Sequence, residues 1–221
     1  MSAKIVSKEA AVSRIHSGMS LMVGGFGLVG CPLVLVDEVL RQGQTDLTVI
    51  SNNVGEPGKG LSRLLEAGRI RKVIGSYFST NPTVGSYYRM GLLEVELLPQ
   101  GTFAEAIRAG GAGIGGFYTP AGVGTLLAER KETRVMDGRE FVLERPLRAD
   151  VALIRAHRAD KLGNLVYRKT ARNFNPMMAT AADLVIAEVD EIVEVGELDP
   201  ETIVTPHLYV DLIVPRGEAG D

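Results

Sequence analysis

Short apolar runs alternate with helix-like segments through the first half of the chain, and this alternation constrains the fold more than any other feature. Apolar runs typical of buried strands occupy residues 20–23, 47–50, 72–74 and 92–97. Residues 8–15, 32–42, 61–68 and 103–109 instead have helical spacing of their apolar side chains, and a further helix is expected to begin at Thr80-Asn81-Pro82. Strands that alternate with helices through short loops favour a mostly parallel α/β sheet with right-handed crossovers.

The second half of the chain has a different pattern. Asp137-Gly138 lies between two apolar runs within residues 134–143, which predicts a β-hairpin with a two-residue turn. Further buried strands are expected at residues 151–154, 184–187 and 208–213. No repeat or linker divides the sequence. We therefore expect residues 1–221 to form a single α/β domain, with an open, mostly parallel sheet flanked by helices and a β-hairpin elaboration in the second half.

Composition limits the classes of function. The chain has 221 residues, 45% of them apolar and 23% charged, with a formal net charge of −3, so a disordered chain is excluded. The isoelectric point lies near 5.7 and the basic residues are scattered, so we expect no nucleic-acid partner. No apolar run reaches the roughly 20 residues of a membrane span, and the N-terminus lacks a signal-peptide pattern. The single cysteine, Cys31, favours a reducing compartment, and we expect a cytoplasmic protein.

A glycine-rich loop follows the first predicted strand. It has the G-x-G-x-x-G spacing of a dinucleotide-binding loop, and its residues are Gly24, Gly25, Phe26, Gly27, Leu28, Val29 and Gly30. The second strand, however, ends in Ser51-Asn52-Asn53, without the acidic residue that holds a ribose hydroxyl. Two further interpretations remain open. The loop is either a tight turn that only packs a strand on a helix, or a set of backbone N–H groups that binds an anionic or carbonyl oxygen.

Three amide side chains follow predicted strands at the same edge of the sheet as the glycine-rich loop. Asn52 and Asn53 follow the second strand, and Gln100 follows the fourth. Ligands of open α/β sheets bind at this carboxyl edge. Amide N–H groups are suitable donors for an oxygen that gains charge during a reaction, although asparagine at a strand end also forms turns.

The sequence contains no self-sufficient catalytic motif. A nucleophile elbow, a phosphate-binding P-loop and a His-Glu-x-x-His motif are all missing, and we expect no metal site. The histidines are interpreted as surface or packing residues, and they are His16, His157 and His207. Cys31, at a predicted helix start, is interpreted as a packing residue. An acidic run is interpreted as the solvated face of a strand, and it consists of Glu188, Asp190, Glu191, Glu194 and Glu197.

Residues 17–32 resemble the first signature of the family I coenzyme A transferases, although Ser17 replaces an acidic or amide residue. The resemblance continues over nearly the whole chain, in Ser51-Asn52-Asn53-Val54-Gly55, Pro99-Gln100-Gly101-Thr102, residues 113–125, Leu147-Arg148-Ala149-Asp150 and residues 171–176. Together these segments resemble the A (alpha) subunit of a two-subunit 3-oxoacid or acetate–acetoacetate transferase. Thr80-Asn81-Pro82 favours the acetate–acetoacetate branch, whereas Thr205-Pro206-His207 departs from the Thr-Pro-Gly of the family.

The resemblance implies a ping-pong transfer of coenzyme A between carboxylates. In this family the nucleophile is a glutamate of the B (beta) subunit in a Glu-Asn-Gly motif, and this chain contains no Glu-Asn-Gly. The implied partner is therefore a beta subunit, in a heterodimer or α₂β₂ assembly, and coenzyme A is a substrate, with no further cofactor. The resemblance implies that residues 24–30 bind coenzyme A and that Asn52, Asn53 and Gln100 are supporting donors.

The implied substrates are a short-chain acyl-CoA or succinyl-CoA and a carboxylate such as acetoacetate or acetate. Two alternatives stay open. One is the alpha subunit of a 3-oxoadipate transferase. The other is a non-catalytic module of similar topology that binds an acyl compound or a sugar phosphate.

Overall fold

A mostly parallel sheet of eight strands forms the centre of the protein, in a computed structural model that describes residues 4–217. The helices are α1 (Lys8–Val12), α2 (Leu33–Gln42), α3 (Leu61–Glu66), α4 (Pro82–Arg89), α5 (Gln100–Ala112) and α6 (Asn175–Thr180). The strands are β1 (Ser20–Val23), β2 (Leu47–Ile50), β3 (Ile70–Gly75), β4 (Glu94–Leu97), β5 (Phe117–Thr119), β6 (Thr133–Met136), β7 (Arg139–Glu144), β8 (Ala149–Asp160), β9 (Leu165–Val166), β10 (Ala182–Val193) and β11 (Leu212–Pro215). Short 3₁₀ turns lie at Leu126–Ala128, Lys169–Arg172, Pro200–Thr202 and His207–Tyr209.

The strand order changes direction beside β1. Along the sheet the order is β11-β10-β8-β1-β2-β3-β4, and β9 pairs antiparallel with β8. The chain continues from β1 to β2, β3 and β4 on one side, while β8, β10 and β11 extend the sheet on the other. The reversal therefore lies between β1 and β8, the position at which open α/β sheets bind ligands beyond the carboxyl ends of their strands.

Both faces of the sheet are buried, because each strand sends alternate side chains into a different core. Leu21 and Val23 of β1 belong to the core beneath α1, α2 and α3, whereas Met22 belongs to the core beneath α5 and α6. In the second core the rings of Phe103 and Phe174 lie 5.3 Å apart. Burial on both faces explains why β1 and β2 are almost entirely apolar, with polar residues only at the partly exposed Ser20 and Thr48.

The predicted fold class is confirmed, and so are several local elements. The bounds of β1 and β2 match the predicted runs at 20–23 and 47–50. Asp137 and Gly138 connect β6 to β7, which join β5 in a separate antiparallel sheet. Asn81 caps α4, since its Oδ1 accepts a hydrogen bond from the Thr83 N–H at 3.1 Å.

Three element predictions require correction. The first helix ends at Val12 rather than at residue 15. Residues 208–211 do not belong to a strand, because the chain makes a 3₁₀ turn at His207–Tyr209 before β11 begins at Leu212. β8 and β10 have 12 residues each, far more than the four in each predicted apolar run, because they pair with each other beyond the end of β1, where buried residues such as Ala156 and Val189 alternate with charged ones. No helix in the described part of the chain is long and apolar enough to span a membrane.

Two glycines of α5 give a matched test of this packing. A Cβ on Gly110 would lie 1.9 Å from the carbonyl oxygen of Leu147, whereas a Cβ on Gly101 meets no atom within 4 Å. We expect Gly110→Ala to lower the free energy of unfolding by about 1–3 kcal/mol through overpacking. Gly101→Ala should raise it by up to about 1 kcal/mol through helix propensity. Urea denaturation of both variants checks this, and equal effects of the two substitutions would contradict the close approach.

Candidate functional site

The glycine-rich loop, residues 24–30, is a tight hairpin at the carboxyl end of β1. The Phe26 N–H donates to the Val29 carbonyl at 3.0 Å, and the Val29 N–H donates to the Phe26 carbonyl at 3.3 Å. Gly27 and Leu28 form the tip, and their N–H groups donate to no other atom of residues 4–217. The Phe26 side chain is 56% exposed. The tip of the loop thus presents two backbone donors and an apolar side chain to the space above the sheet.

Two asparagines from a distant part of the chain hold this loop in place. Asn173 accepts a hydrogen bond from the Gly25 N–H at 3.1 Å and donates one to the Val29 carbonyl at 2.9 Å. Asn175 is fully buried and donates to the Gly30 carbonyl at 3.1 Å. Sequence analysis missed the role of both residues, although they lie in a segment that carries the family resemblance. Their spacing carried no signal, because the contact joins positions more than 140 residues apart.

Asn175 also explains why the loop begins with glycine. A Cβ on Gly24 would lie 1.9 Å from the Asn175 Oδ1 atom, which accepts a hydrogen bond from the Arg155 N–H at 2.9 Å. Any larger residue at position 24 would displace Asn175 and the contacts that it makes with the loop. Close packing alone therefore explains why residue 24 is glycine. It does not explain Gly27 at the tip, where an added Cβ would meet no atom within 4 Å.

The structure brings all three predicted amides together at the carboxyl edge and adds a serine. The Asn52 Nδ2 atom donates to the Gln100 Oε1 atom at 2.9 Å and to the Ser76 Oγ atom at 3.0 Å. Ser76 also hydrogen-bonds to Gln100 Oε1. Asn52, Ser76 and Gln100 follow three neighbouring strands, β2, β3 and β4. Ser76 was missed by sequence analysis, although its position directly after β3 is the same signal that singled out Asn52.

The three amides differ in what they offer to a ligand. Asn52 is 1% exposed and both of its N–H groups are used within the group. Asn53 is 6% exposed, donates to Asn52 Oδ1 at 3.0 Å and accepts from the Gly55 N–H at 2.8 Å. Gln100 is exposed, and its oxygen is fixed by Asn52 and Ser76. Its N–H groups donate to no atom of the described residues, so Gln100 is the member of the group that can donate to a bound oxygen. The functional roles of all three remain predictions.

Glu188 is not on a solvated strand face, and that part of the prediction for the acidic run was wrong. Its side chain is fully buried at the N-terminus of α2, the helix that follows the glycine-rich loop. The Glu188 Oε2 atom accepts from the N–H groups of Val34 at 2.9 Å and Leu35 at 3.2 Å. Burial raises the pKa of Glu188 to about 7 despite these hydrogen bonds and the nearby Arg216 and Arg155. The carboxylate occupies the anion position that the N-terminus of a helix otherwise offers to a ligand.

The remaining acidic residues of the run lie at the surface, where three of them pair with cations and Glu197 accepts a hydrogen bond from the Glu194 N–H. Asp190 contacts Arg155 at 3.0 Å and Arg216 at 3.3 Å. Burial opposes ionisation of Asp190, but these guanidinium groups more than compensate and hold its pKa below the ordinary range. Glu191 pairs with Arg158 and Glu194 with Lys161. Sequence alternation could not separate Glu188 from these neighbours, because only the position of α2 decides which carboxylate is covered.

Cys31 has no nucleophilic character in this fold. The residue is buried, and its burial together with the nearby Glu188 raises the pKa of the thiol to about 12. The side chain is therefore a neutral thiol at neutral pH, as its interpretation as a packing residue requires. Within residues 4–217, no group of three or more His, Cys, Asp and Glu side chains is arranged to hold a metal ion.

A cavity of about 320 Å³ opens on the other side of the glycine-rich loop from the amides. Its floor consists of Arg155, Ala156 and His157 on β8, and one wall is the 3₁₀ turn at Lys169–Arg172. Gly30 forms part of the opposite wall. His157 was expected to be a surface or packing residue, but it lines this cavity with its Nδ1 atom 3.5 Å from Asp190. The loop thus separates two polar sites along one edge of the sheet.

The chain is similar to known proteins over nearly its whole length. The family model for coenzyme A transferase matches residues 5–216. The chain is 50% identical to the alpha subunit of the acetate CoA-transferase of Escherichia coli K12, covering 99% of this chain and 100% of that one. It is 54% identical to the A-type subunit of the 3-oxoadipate CoA-transferase of Pseudomonas putida, covering 94% and 91%.

Among solved structures, the fold is similar to that of an acyl-CoA transferase from Escherichia coli O157:H7 in a thioester complex with CoA. The TM-score is 0.88 at 20% sequence identity, and the similarity covers 99% of this chain. This chain spans 48% of the length of that transferase chain. At this level of identity the similarity shows the fold alone.

The buried Glu188 makes protein stability depend on pH. Because its pKa is raised from 4.5 to about 7 on folding, the folded state binds this proton more tightly than the unfolded chain. Its contribution to stability is therefore fully present below pH 4.5 and is lost as the pH rises through 7, by on the order of 3 kcal/mol. Urea denaturation between pH 5 and 8 should show wild type losing stability relative to Glu188→Gln. Glu191→Gln, on the exposed part of the same strand, is the control, and a pH-independent difference for Glu188→Gln would contradict the prediction.

Proposed function

The chain belongs to the coenzyme A transferase family, and we propose that it acts as the A-type subunit of a two-subunit enzyme that moves coenzyme A between carboxylates. The observation that carries this proposal is the group formed by Asn52, Ser76 and Gln100, which fixes the Gln100 oxygen and leaves its N–H groups free at the same edge of the sheet as the glycine-rich loop. Fixed donors of this kind stabilise the oxyanions through which acyl transfer proceeds. The relatives are named as alpha or A-type subunits, which supports the division of the enzyme between two chains.

The substrates that we propose are a short-chain acyl-CoA or succinyl-CoA and a carboxylate such as acetoacetate or acetate. Thr80-Asn81-Pro82, in which Asn81 caps α4, supports the acetate–acetoacetate branch. A 3-oxoadipate transferase is the second candidate, favoured by the 54% identity to a relative with that name. Coenzyme A is a substrate in both cases, and no additional cofactor or metal is required. The buried thiol of Cys31 is consistent with a cytoplasmic location, and residues 1–221 act as one domain.

The first half-reaction begins on the partner chain. One carboxylate oxygen of the partner's glutamate attacks the carbonyl carbon of the acyl-CoA, and the tetrahedral oxyanion collapses with release of the CoA thiolate. The product is a mixed anhydride between the acyl group and the glutamate. The thiolate then attacks the glutamyl carbonyl carbon, which forms a glutamyl thioester and releases the acyl group as a carboxylate.

The second half-reaction reverses these steps with a different acid. An oxygen of the incoming carboxylate attacks the glutamyl thioester carbonyl and expels the thiolate, which leaves a new mixed anhydride. The thiolate attacks the acyl carbonyl carbon of this anhydride, so that a new acyl-CoA forms and the glutamate returns to its free carboxylate. Coenzyme A is neither gained nor lost, and no oxidant or reductant takes part.

In both half-reactions this chain supplies fixed hydrogen-bond donors. Gln100 donates to the substrate carboxylate or to the oxyanion that forms from it, while Asn52 and Ser76 hold the Gln100 oxygen and so fix the direction of its N–H groups. Asn53 in turn fixes Asn52. The N–H groups of Gly27 and Leu28, at the tip of residues 24–30, donate to the thioester region of coenzyme A. Donors fixed before the reaction need no reorganisation when charge develops.

Substitution of the amides tests this division of roles. We expect Gln100→Ala to lower kcat by about 10²–10³-fold, because a donor to the oxyanion is removed. Asn52→Ala should cause a loss of the same order, since Gln100 is then free to rotate. The assay is transfer between acyl-CoA and a carboxylate with the beta subunit present. Gln42→Ala, an amide at the opposite end of α2, is the control, and near wild-type kcat in Asn52→Ala would remove Asn52 from the mechanism.

The purified chain should show no transferase activity by itself, because the glutamate nucleophile belongs to the partner. It should form a stable complex with a second polypeptide of the beta type, measured by size-exclusion chromatography with light scattering, and activity should appear on mixing. After incubation with acyl-CoA and borohydride trapping, the modified glutamate should be found by mass spectrometry on the beta subunit. Transfer activity or a covalent thioester on the isolated chain would overturn the proposed function.

A further inference from the structure

We propose that the cavity between the glycine-rich loop and the 3₁₀ turn at Lys169–Arg172 binds the phosphate groups at the nucleotide end of coenzyme A. This inference rests on the proposed function, and it assigns a binding role to residues outside the predicted coenzyme A loop. The cavity measures about 320 Å³ and lies where the strand order reverses between β1 and β8. Its walls come from the loop and from the turn, which the sheet brings together.

The charges that line the cavity favour an anion. Arg168 and Lys169 both line it and are exposed, and neither forms an ion pair with any carboxylate in the described part of the chain. Arg155 and Asp190, which also line the cavity, pair with each other at 3.0 Å and so neutralise one another. The lining therefore carries two uncompensated positive charges. Arg and Lys side chains are the usual protein ligands of phosphate groups.

Arg172, at the end of the same turn, adds a third exposed cation without an ion-pair partner among residues 4–217. The three cations come from one short stretch of chain, residues 168–172, which is anchored by Asn173. Asn173 accepts a hydrogen bond from the Gly25 N–H and donates to the Thr170 carbonyl at 2.9 Å. The same asparagine thus positions the loop tip on one side and the cationic turn on the other. A ligand that contacts both would meet a preformed surface.

The backbone of the turn is strained at a position that lines the cavity. Lys169 has a φ of 51°, in the left-handed region that side chains other than glycine rarely adopt. Strain of this kind costs of order 1 kcal/mol or more and is concentrated at ligand-binding positions. Neither its ammonium group nor the Arg168 guanidinium makes a hydrogen bond to another described residue that would account for the conformation. Both cations therefore line the cavity without a partner among residues 4–217.

The relative position of the two sites matches the chemistry of coenzyme A. Gln100 and Asn52 lie beyond β4 and β2, whereas the cavity lies above β8 and β10 on the other side of β1. Three strand spacings separate β2 from β10, which is roughly 14 Å. Coenzyme A has its thiol at one end of a long pantetheine arm and its phosphates at the other. With the phosphates in the cavity, the arm passes the loop tip at Gly27 and Leu28, and the thioester faces the amides.

The test uses the complex of this chain with its beta subunit and the double variant Arg168→Ala/Lys169→Ala. We expect the KM for acyl-CoA to rise about tenfold or more with kcat little changed, because each phosphate contact is a charge-assisted hydrogen bond. The kcat/KM for the matching acyl-pantetheine, which has no phosphates, should be unchanged. Arg168→Lys should retain most of the affinity. Arg14 is an exposed cation near the amino ends of the strands. Arg14→Ala is the control and should leave the KM and kcat for both substrates unchanged.

Direct binding separates this proposal from the proposed function. Calorimetric titration of the complex with adenosine 3′,5′-bisphosphate requires no turnover, and we expect binding to wild type and to Arg14→Ala that weakens at higher salt and is lost in the double variant. Equal losses with acyl-CoA and acyl-pantetheine, or unchanged nucleotide binding in the double variant, would overturn the proposal. Failure of the double variant to associate with the beta subunit would also overturn it, because the cations would then face the partner. Absence of transfer in the wild-type complex with intact nucleotide binding would contradict the proposed function alone.

Discussion

The hydrogen bonds that Asn173 and Asn175 make to the glycine-rich loop are the interaction on which the rest of the site depends. They join the carboxyl end of β1 to a segment that follows β9, and they satisfy backbone groups of Gly25, Val29 and Gly30. Glu188 fixes the next element by accepting from the first N–H groups of α2. A loop held at both ends by side-chain hydrogen bonds loses little entropy when a ligand binds, so its tip is preorganised.

The site is divided along the sheet edge by this loop. On one side, the N–H groups of buried Asn52 donate to Ser76 and Gln100, and this fixes the orientation of the exposed Gln100 amide. On the other side, a cationic turn lines a cavity. Neither side contains an activated nucleophile, since burial keeps the Cys31 thiol neutral. In the reaction proposed here, the chain therefore binds and orients the substrates, and the covalent chemistry belongs to the partner.

Local patterns predicted most of the fold. The apolar runs of β1 and β2 gave their bounds, because a strand buried on both faces is mostly apolar. Asp137-Gly138 gave the hairpin, because few other dipeptides fit its turn. The predictions failed where strands leave the shared core. β8 and β10 continue past the end of β1 because they pair with each other. Alternation in the acidic run indicated a strand there, but periodicity contains no information about which strand is its neighbour.

The sequence by itself determined the fold class, the family and the identity of the glycine-rich loop and the strand-end amides, because each of these depends on residues close together along the chain. Only the tertiary structure decided which groups act as pairs. It covered Glu188 with α2 while its neighbours stayed at the surface, and it brought Ser76 to Gln100 and Asn173 to Gly25. The physical reason is that burial and hydrogen bonding depend on distances in space. Strand order and helix packing set these distances even between residues more than 140 positions apart in the sequence.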